Sequence, residues 1–146
     1  MVDKVGIHRR GGISLEEIIR DAKSVKGARA AGAIGCFIGI VREDGHDRSR
    51  VSHLEYEAYE DVAKPQMEKL RGEICRELGL LDLYIHHIVD RVSVGEDTLY
   101  VVAVGRHRSE VFKALERAVD RVKAEVAIWK KEITEKGGSW ISDASG

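Results

Sequence analysis

The sequence predicts an α+β protein with a mainly antiparallel sheet, about three helices and a small C-terminal hairpin. Strand-like and helix-like segments alternate along the 146 residues, with no internal repeat and no low-complexity tract. Three segments have the apolar spacing of amphipathic helices, and several strand-like segments are separated only by short turns, which favours antiparallel neighbours. The length fits one domain that covers residues 1–146.

The first two predicted elements are a strand and a helix. Residues 2–8 have the pattern of a short strand, and a helix is predicted over about 14–24. Ser14 and Glu17 stand at capping-box spacing, in which each side chain satisfies a backbone N–H at the start of a helix. This spacing places the helix start at Ser14.

The next part of the chain is predicted to form two strands joined by a polar loop. A Gly- and Ala-rich stretch leads into CFIGIV, residues 36–41, a continuous apolar run typical of a buried strand. Residues 41–50 have the composition of a long hairpin connection. In residues 51–59 apolar and polar side chains alternate, which predicts a strand with one solvated face.

The centre of the chain is predicted as a helix followed by two strands. The helix covers about 61–78, with Pro65 in its first turn, where the missing N–H is tolerated. Residues 80–107 have the pattern of two strands about a turn at 95–97. The apolar stripe of the helix consists of Met67, Leu70, Ile74 and Leu78.

A third helix is predicted over about 109–126, and a hairpin over 128–141 follows it. On a wheel of about 100° per residue, Lys123 falls on the rim of the apolar arc, where its amine would be partly desolvated. The apolar arc, which is expected to face the core, consists of Phe112, Leu115, Ala118, Val119, Val122 and Val126. The cations on the opposite, solvated face are Lys113, Arg117 and Arg121.

The composition excludes several classes of protein. Lys and Arg total 24 and Asp and Glu total 25, so the net charge of −1 argues against a general nucleic-acid binder. Cys36 and Cys75 lie far apart in apolar settings, which indicates buried thiols rather than a disulfide or a zinc site. No signal-peptide pattern and no apolar run of about 20 residues is present, so a cytoplasmic protein without a membrane span is expected.

Basic residues nevertheless cluster around the third helix. His107 and Arg108 precede its N-terminus, where free backbone N–H groups favour an anion. Lys130 and Lys131 follow its C-terminal end on alternate faces of a strand, so one of them can share a pocket with Lys123. An anion-binding site is one interpretation. The alternative is that these cations form surface ion pairs and that Lys123 extends its amine to solvent.

Other motifs give weaker signals. His86 and His87 are adjacent in a strand, so they face opposite sides and cannot chelate one metal ion together. His46 and His53 have no carboxylate or cysteine partner at ligand spacing, so no metal site is predicted. Arg42 ends the apolar strand, where its guanidinium could reach the edge of a cleft.

Three segments together resemble the large, catalytic subunit of molybdopterin synthase: GAIGCFIGIVRED, VGRHRSEVFKALERAVDRVKAEVAIWKKE and GGSWI. The specific combination is His-Arg, a lysine fifteen residues after that arginine, and Trp-Lys-x-Glu six residues further on. The resemblance implies an α/β hammerhead-type fold, a homodimer, and a heterotetramer with a small ubiquitin-like subunit whose Gly-Gly tail ends in a thiocarboxylate. It also implies transfer of that sulfur to precursor Z, cyclic pyranopterin monophosphate, which builds the dithiolene of molybdopterin without a metal or organic cofactor.

The resemblance also implies roles for residues at matching motif positions. Lys123 and Lys130 would be catalytic, one of them carrying a proton, and Lys131 and Glu132 would support them. No cysteine is needed, because the sulfur arrives on the partner. The residues that would line the pocket are Phe37 and Arg42, and those that would bind the anionic part of the substrate are His107 and Arg108.

Two positions depart from the family pattern. Ala127 stands where relatives usually have proline, two residues before Trp129, which could loosen the turn between helix and strand. Ala144 stands where relatives often have an arginine, so any substrate contact from that position is missing or supplied otherwise.

Two other functions stay open. One is a non-catalytic binding module for a phosphorylated small molecule, which would use the same basic pocket. The other is a structural oligomer whose basic helix docks an acidic partner. Self-association is predicted from the residues as well, because CFIGIV and LYVVAV supply more apolar strand surface than three modest helices readily cover.

Overall fold

A computed structural model describes residues 1–46 and 49–141 of the chain. This part contains two four-stranded sheets and three α-helices. The strands are β1 (Val5–His8), β2 (Ala33–Ile40), β3 (Val51–Ala58), β4 (Asp82–Ile88), β5 (Arg91–Ser93), β6 (Asp97–Gly105), β7 (Ile128–Thr134) and β8 (Gly137–Ile141). The helices are α1 (Leu15–Ala22), α2 (Glu60–Leu78) and α3 (Arg108–Glu125), with a short 3-10 helix at Ala28–Ala30.

The strands form two separate sheets. The first has the strand order β1-β4-β6-β2, and the second has the order β5-β3-β7-β8. The β1–β4 pair is parallel, and the other neighbouring strands are antiparallel. The predicted α+β class, with mainly antiparallel strands, three helices and a C-terminal hairpin, is therefore confirmed, although the sequence pattern did not reveal that the strands divide between two sheets.

The predicted hairpin between residues 36–41 and 51–59 is wrong. β2 pairs with β6, whereas β3 pairs with β5 and β7, so the polar connection crosses from one sheet to the other. Gly35 of β2 lies so close to α3 that a Cβ there would come within 2.5 Å of Val111 Cγ1. The apolar β2 therefore stays with the helix-covered first sheet, and the half-solvated β3 joins the second.

Residues 80–107 form three strands instead of the predicted two. β4 and β6 pair within the first sheet, while the short β5 leaves it and pairs Val92 with Leu54 of β3. The predicted turn is present, with Gly95 at φ = 88°, in the left-handed region that favours glycine. A three-residue strand is too short to show a periodicity of its own, which explains why it was missed.

The first two helices agree closely with their sequence signals. The Glu17 backbone N–H donates a 3.2 Å hydrogen bond to Ser14 Oγ, which confirms the predicted cap of α1. α2 begins at Glu60, so Pro65 lies in its second turn and not in the first as predicted. In the predicted stripe of α2, Met67, Leu70 and Ile74 are fully buried and Leu78 is partly buried.

The predicted apolar arc of α3 is wrong in part. Phe112 is 66% exposed, whereas the adjacent Val111 is only 2% exposed. The small side chains of Ala114 and Ala118 let α3 pack closely against β2 and β6, which rotates the buried face away from Phe112. The buried residues of α3 are Val111, Ala114, Ala118 and Val122.

The central strands β4 and β6 of the first sheet are covered on both faces, which explains their long apolar runs. The edge strand β2 exposes Ile38 and Ile40, and its Cys36 is exposed rather than buried as predicted. Leu83 and Val101 pack in the cluster formed with α2 and α3, and Tyr84 and Val102 pack on the other side with Ile18 of α1. Despite this apolar core, no helix among the described residues is long and apolar enough to cross a membrane.

Candidate functional site

Residues of both sheets and the end of α3 line a cleft of about 580 Å³. The first sheet contributes Phe37 of β2 and Leu99 of β6, and the second contributes Tyr56 of β3 and Lys130 of β7. Lys123 enters the cleft from the last turn of α3. A cleft of this volume accommodates a small-molecule substrate.

Strand alternation places four side chains of the second sheet on the cleft face. In the β3–β7 ladder, Lys130 is paired with Tyr56 and Glu132 is paired with Leu54. Residues two apart on a strand share a face, so the two pairs point the same way. All four side chains line the cleft, and two of its charged groups, Lys130 and Glu132, come from β7.

Three cations converge on this cleft. Lys123 and Lys130 are half-buried, and Arg42 follows β2 at the exposed rim. Phe37 supplies an apolar wall beside them. In a partly desolvated cleft, ammonium and guanidinium groups interact with an anion more strongly than they do in water. The structure thus brings together five of the predicted site residues, these four and Glu132.

His87 is a buried side chain of the cleft that the sequence analysis missed as a site residue. It is 7% exposed, its Nδ1–H donates a 3.0 Å hydrogen bond to the Ile88 carbonyl, and its ring meets Tyr56 edge to face with centroids 5.0 Å apart. Burial, together with the charge of Lys130, lowers the pKa of His87 to about 4. The ring is therefore neutral at pH 7, and Nε2 is left as a hydrogen-bond acceptor. The alternation of side chains along a strand predicted that His86 and His87 face opposite sides of the sheet, but no sequence pattern showed which of the two faces a cleft.

Glu132 holds His46 at the mouth of the cleft. Glu132 Oε1 accepts a 2.7 Å hydrogen bond from His46 Nδ1 and a 3.2 Å bond from the His46 backbone N–H. The sequence analysis found no carboxylate or cysteine at metal-ligand spacing from His46 or His53, but each ring contacts one carboxylate. The partner of His46 is 86 residues away along the chain, so no local spacing could reveal it, and His53 Nε2 lies 3.2 Å from Glu55 Oε1 on its own strand.

His107 and Arg108 lie outside this cleft in the single chain. The His107 side chain is 80% exposed, and its backbone N–H donates a 2.6 Å hydrogen bond to Glu110 Oε1 at the start of α3. Because α3 is continuous, about 22 Å of helix axis separates Arg108 from Lys123, at about 1.5 Å per residue. The chain does not curl back to bring the two ends of the helix together.

Three other positions from the sequence analysis lie at the edge of the site or beyond it. Lys131 points away from Lys130, as predicted, and its Nζ lies 5.8 Å from the Trp140 ring centroid. The Ala127 N–H donates a 2.8 Å hydrogen bond to Gln66 Oε1, a bond that proline could not make, so this turn is tied to α2 rather than loosened. Ala144 lies outside the described residues.

The functional groups of the cleft suit anion binding and proton transfer. Two ammonium groups and a guanidinium supply positive charge, and two imidazoles and a carboxylate can exchange protons. Among residues 1–46 and 49–141, no three His, Cys, Asp or Glu side chains are arranged to hold a metal ion.

Similar proteins place the chain in a known family. Residues 7–125 match the family model described as MoaE protein. The molybdopterin synthase catalytic subunits of Pyrococcus abyssi and Bacillus subtilis are both 37% identical to the chain, over 84% and 90% of its length and 82% and 80% of theirs. The crystal structure of molybdopterin synthase from Staphylococcus aureus superposes with a TM-score of 0.85 at 27% identity, covering 97% of this chain and 98% of that one. The chain therefore belongs to the MoaE family, and these two curated relatives are catalytic subunits of molybdopterin synthase.

Proposed function

We propose that the chain transfers sulfur from the thiocarboxylated C-terminus of a small ubiquitin-like subunit to precursor Z, forming the dithiolene of molybdopterin. The observation that carries this proposal is the convergence of Lys123 and Lys130, from different elements, in one cleft. Membership of the MoaE family supports an enzymatic role in molybdenum cofactor biosynthesis.

The charges of the cleft match those of both reactants. A thiocarboxylate and a cyclic phosphate are both anions at neutral pH, and Lys123, Lys130 and Arg42 are cations. The Arg42 guanidinium at the rim can bind phosphate oxygens in a bidentate manner. The lysines then lie around the sulfur that is transferred.

The two lysines act on the sulfur as it moves. Their ammonium groups stabilise the negative charge that develops on the oxygen displaced from precursor Z when the thiocarboxylate sulfur bonds to carbon, and one of them gives that oxygen a proton. An extended Gly-Gly tail is about 7 Å long and has no side chains. Such a tail can enter a cleft walled by Phe37 without a wide opening.

His107 and Arg108 can serve this reaction only if a second copy of the chain contributes them. About 22 Å separates Arg108 from Lys123 within one chain, too far for one small substrate to contact both. The expected homodimer supplies a second α3 with an exposed N-terminal end. The substrate-binding role of these two residues therefore depends on the dimer, and on a heterotetramer once the small subunits bind.

The direct test is to mix the purified protein with thiocarboxylated small subunit and precursor Z and to measure molybdopterin. We expect product that is absent without the protein. Arg117→Ala is the control variant and should still form product, because Arg117 makes an exposed ion pair with Glu77 at 3.1 Å. Binding of precursor Z without product would favour the non-catalytic binding module. Failure to bind either reactant would favour the structural oligomer.

A further inference from the structure

We propose that His46 and Glu132 form a proton-accepting dyad that activates the water molecule that completes each sulfur transfer. This inference rests on the proposed sulfur transfer and assigns a residue to one of its steps. His46 lines the same cleft as Lys123 and Lys130 and is hydrogen-bonded to a buried carboxylate.

Atom balance requires water in this reaction. When the thiocarboxylate sulfur bonds to a carbon of precursor Z, the bond from that carbon to a hydroxyl oxygen breaks, its electron pair stays on oxygen, and a proton from a lysine ammonium lets the oxygen leave as water. The tail and the acceptor are then joined through an acyl–sulfur–carbon linkage. Release breaks the bond between the acyl carbon and sulfur, whose electron pair stays on sulfur, and an oxygen from water takes its place. The tail then ends in a carboxylate and the product carries a thiolate. Water loses one proton to a base as the carbon–oxygen bond forms, and the new carboxyl group loses the other to solvent.

The geometry of His46 is that of an oriented base. Glu132 Oε1 can only accept at its 2.7 Å contact with His46 Nδ1, so Nδ1 carries the hydrogen and Nε2 holds the lone pair. The same oxygen accepts the His46 backbone N–H, which fixes the residue at a second point. An imidazole held through one nitrogen by a carboxylate accepts a proton at the other, and the carboxylate stabilises the imidazolium that forms.

Gly45 makes room for this pair. A Cβ at this position would lie 2.7 Å from the Ser49 carbonyl oxygen and 3.1 Å from Glu132 Oε1. The Gly45 N–H donates a 2.9 Å hydrogen bond to the same Ser49 oxygen. The backbone next to His46 is thus set close against the carboxylate.

The other groups of the cleft suit other parts of the step. The ammonium groups of Lys123 and Lys130 can stabilise the departing thiolate. His87 is a weak base, because burial lowers its pKa to about 4, and an efficient general base has a pKa near the working pH. In this proposal Lys123 and Lys130 therefore stabilise the sulfur, and the His46 imidazole activates water.

The test is a single-turnover reaction of the protein with thiocarboxylated small subunit and precursor Z. Mass spectrometry follows the small subunit as thiocarboxylate, as covalent adduct and as carboxylate. We expect His46→Gln to form the adduct at the rate of the unsubstituted protein and to release it about 100-fold more slowly, in the range for loss of a general base. Glu132→Gln should slow release by about 10-fold, because the imidazolium loses its stabilising charge. Added imidazole should restore release in His46→Ala, which separates loss of the base from misfolding.

The matched control is His53→Gln. His53 also pairs with a glutamate, Glu55, but it is not among the residues that line the cleft, so both rates should stay unchanged. Release at the unsubstituted rate in His46→Gln would overturn the dyad and leave the proposed function intact. Loss of adduct formation in His46→Gln, with an unchanged Tm, would also overturn it, because His46 would then act before water does. If the unsubstituted protein does not consume the thiocarboxylate, the proposed function and the dyad both fail.

Discussion

The two ends of α3 are both basic, but they lie in different environments. At the N-terminal end, His107 and Arg108 are exposed, and His107 Nδ1 lies 3.7 Å from Glu110 Oε1. At the C-terminal end, Lys123 is half-buried in a cleft next to the buried Val122. A basic cluster is a candidate site where other elements enclose it. The second sheet encloses Lys123 at the C-terminal end of α3.

Two cations between these two ends, Arg117 and Arg121, are paired with carboxylates. Arg121 bonds both Glu73 and Glu125, at 2.8 and 2.6 Å, and Arg117 pairs with Glu77. Such pairs near the surface contribute little to stability, but they remove net charge from the middle of the helix.

The largest effect on molybdopterin formation is expected from substitutions at the C-terminal end of α3, in the cleft. Lys123→Ala should lower molybdopterin formation at least about 1,000-fold, because the developing negative charge loses a nearby cation. Lys123→Arg should also fail, because a guanidinium keeps its charge but cannot carry a proton. Product formation and small-subunit binding measured on the same samples separate a chemical defect from a folding defect. Substantial turnover by Lys123→Arg would move the proton-carrying role to Lys130.

The buried histidines of the first sheet, one of which lines the cleft, should make the protein less stable in acid. Burial lowers the pKa values of His86 and His87 to about 4, from 6.5 in the unfolded chain. The unfolded state therefore binds more protons as the pH falls from 6.5 to 4, so stability present above pH 6.5 is lost over this window, by up to about 3 kcal/mol for each ring.

Denaturant unfolding across this pH range tests this expectation. His87→Gln should make the loss of stability shallower than in the unsubstituted protein. Equal slopes in the two proteins would mean that His87 is not held neutral in the cleft.

Arg108 tests the exposed end of α3. Arg108→Ala should weaken precursor Z binding by about 30-fold, because a bidentate contact between guanidinium and phosphate is hard to replace. Arg117→Ala should change binding little, because Arg117 is already paired with Glu77. Titration calorimetry on both variants measures this. Equal losses would make the helix a diffuse basic surface and remove the substrate role proposed for Arg108.

The smallest effect concerns assembly. Light scattering at micromolar concentration should report a dimer, because β2 exposes Ile38 and Ile40 at 39% and 57% and Phe112 of α3 is also exposed. Phe112→Asp should weaken self-association about 10-fold without lowering Tm, since charge is introduced on an apolar exposed patch. A monomeric unsubstituted protein would contradict the dimer and the proposed use of His107 and Arg108 by a second copy.

Features of the fold set by neighbouring residues could be predicted from the sequence. The cap at Ser14 and the buried stripe of α2 depend on residues three or four apart, and both predictions are confirmed. Strand pairing depends on residues far apart along the chain. The β2–β3 hairpin was therefore predicted wrongly, although both strands were found, because local pattern cannot show that β3 belongs to a different sheet.

Only the part of the site that depends on local spacing could be predicted. The helical wheel placed Lys123 at the edge of the core, but it assumed that Phe112 is buried, and Phe112 is exposed. Lys123 reaches the cleft because Val122 beside it packs into the core and α3 ends at Glu125. The contact between His46 and Glu132 depends on the crossing between sheets, and no local periodicity encodes it.

The central claim is that the small subunit delivers sulfur at the cleft end of α3. The most direct measurement uses a small subunit with a photoreactive diazirine group next to its C-terminal Gly-Gly, cross-linked to the protein and mapped by peptide mass spectrometry. We expect cross-links to residues that line the cleft, such as Phe37, Lys123 and Lys130. Cross-links confined to residues 104–117, with none in the cleft, would contradict this account.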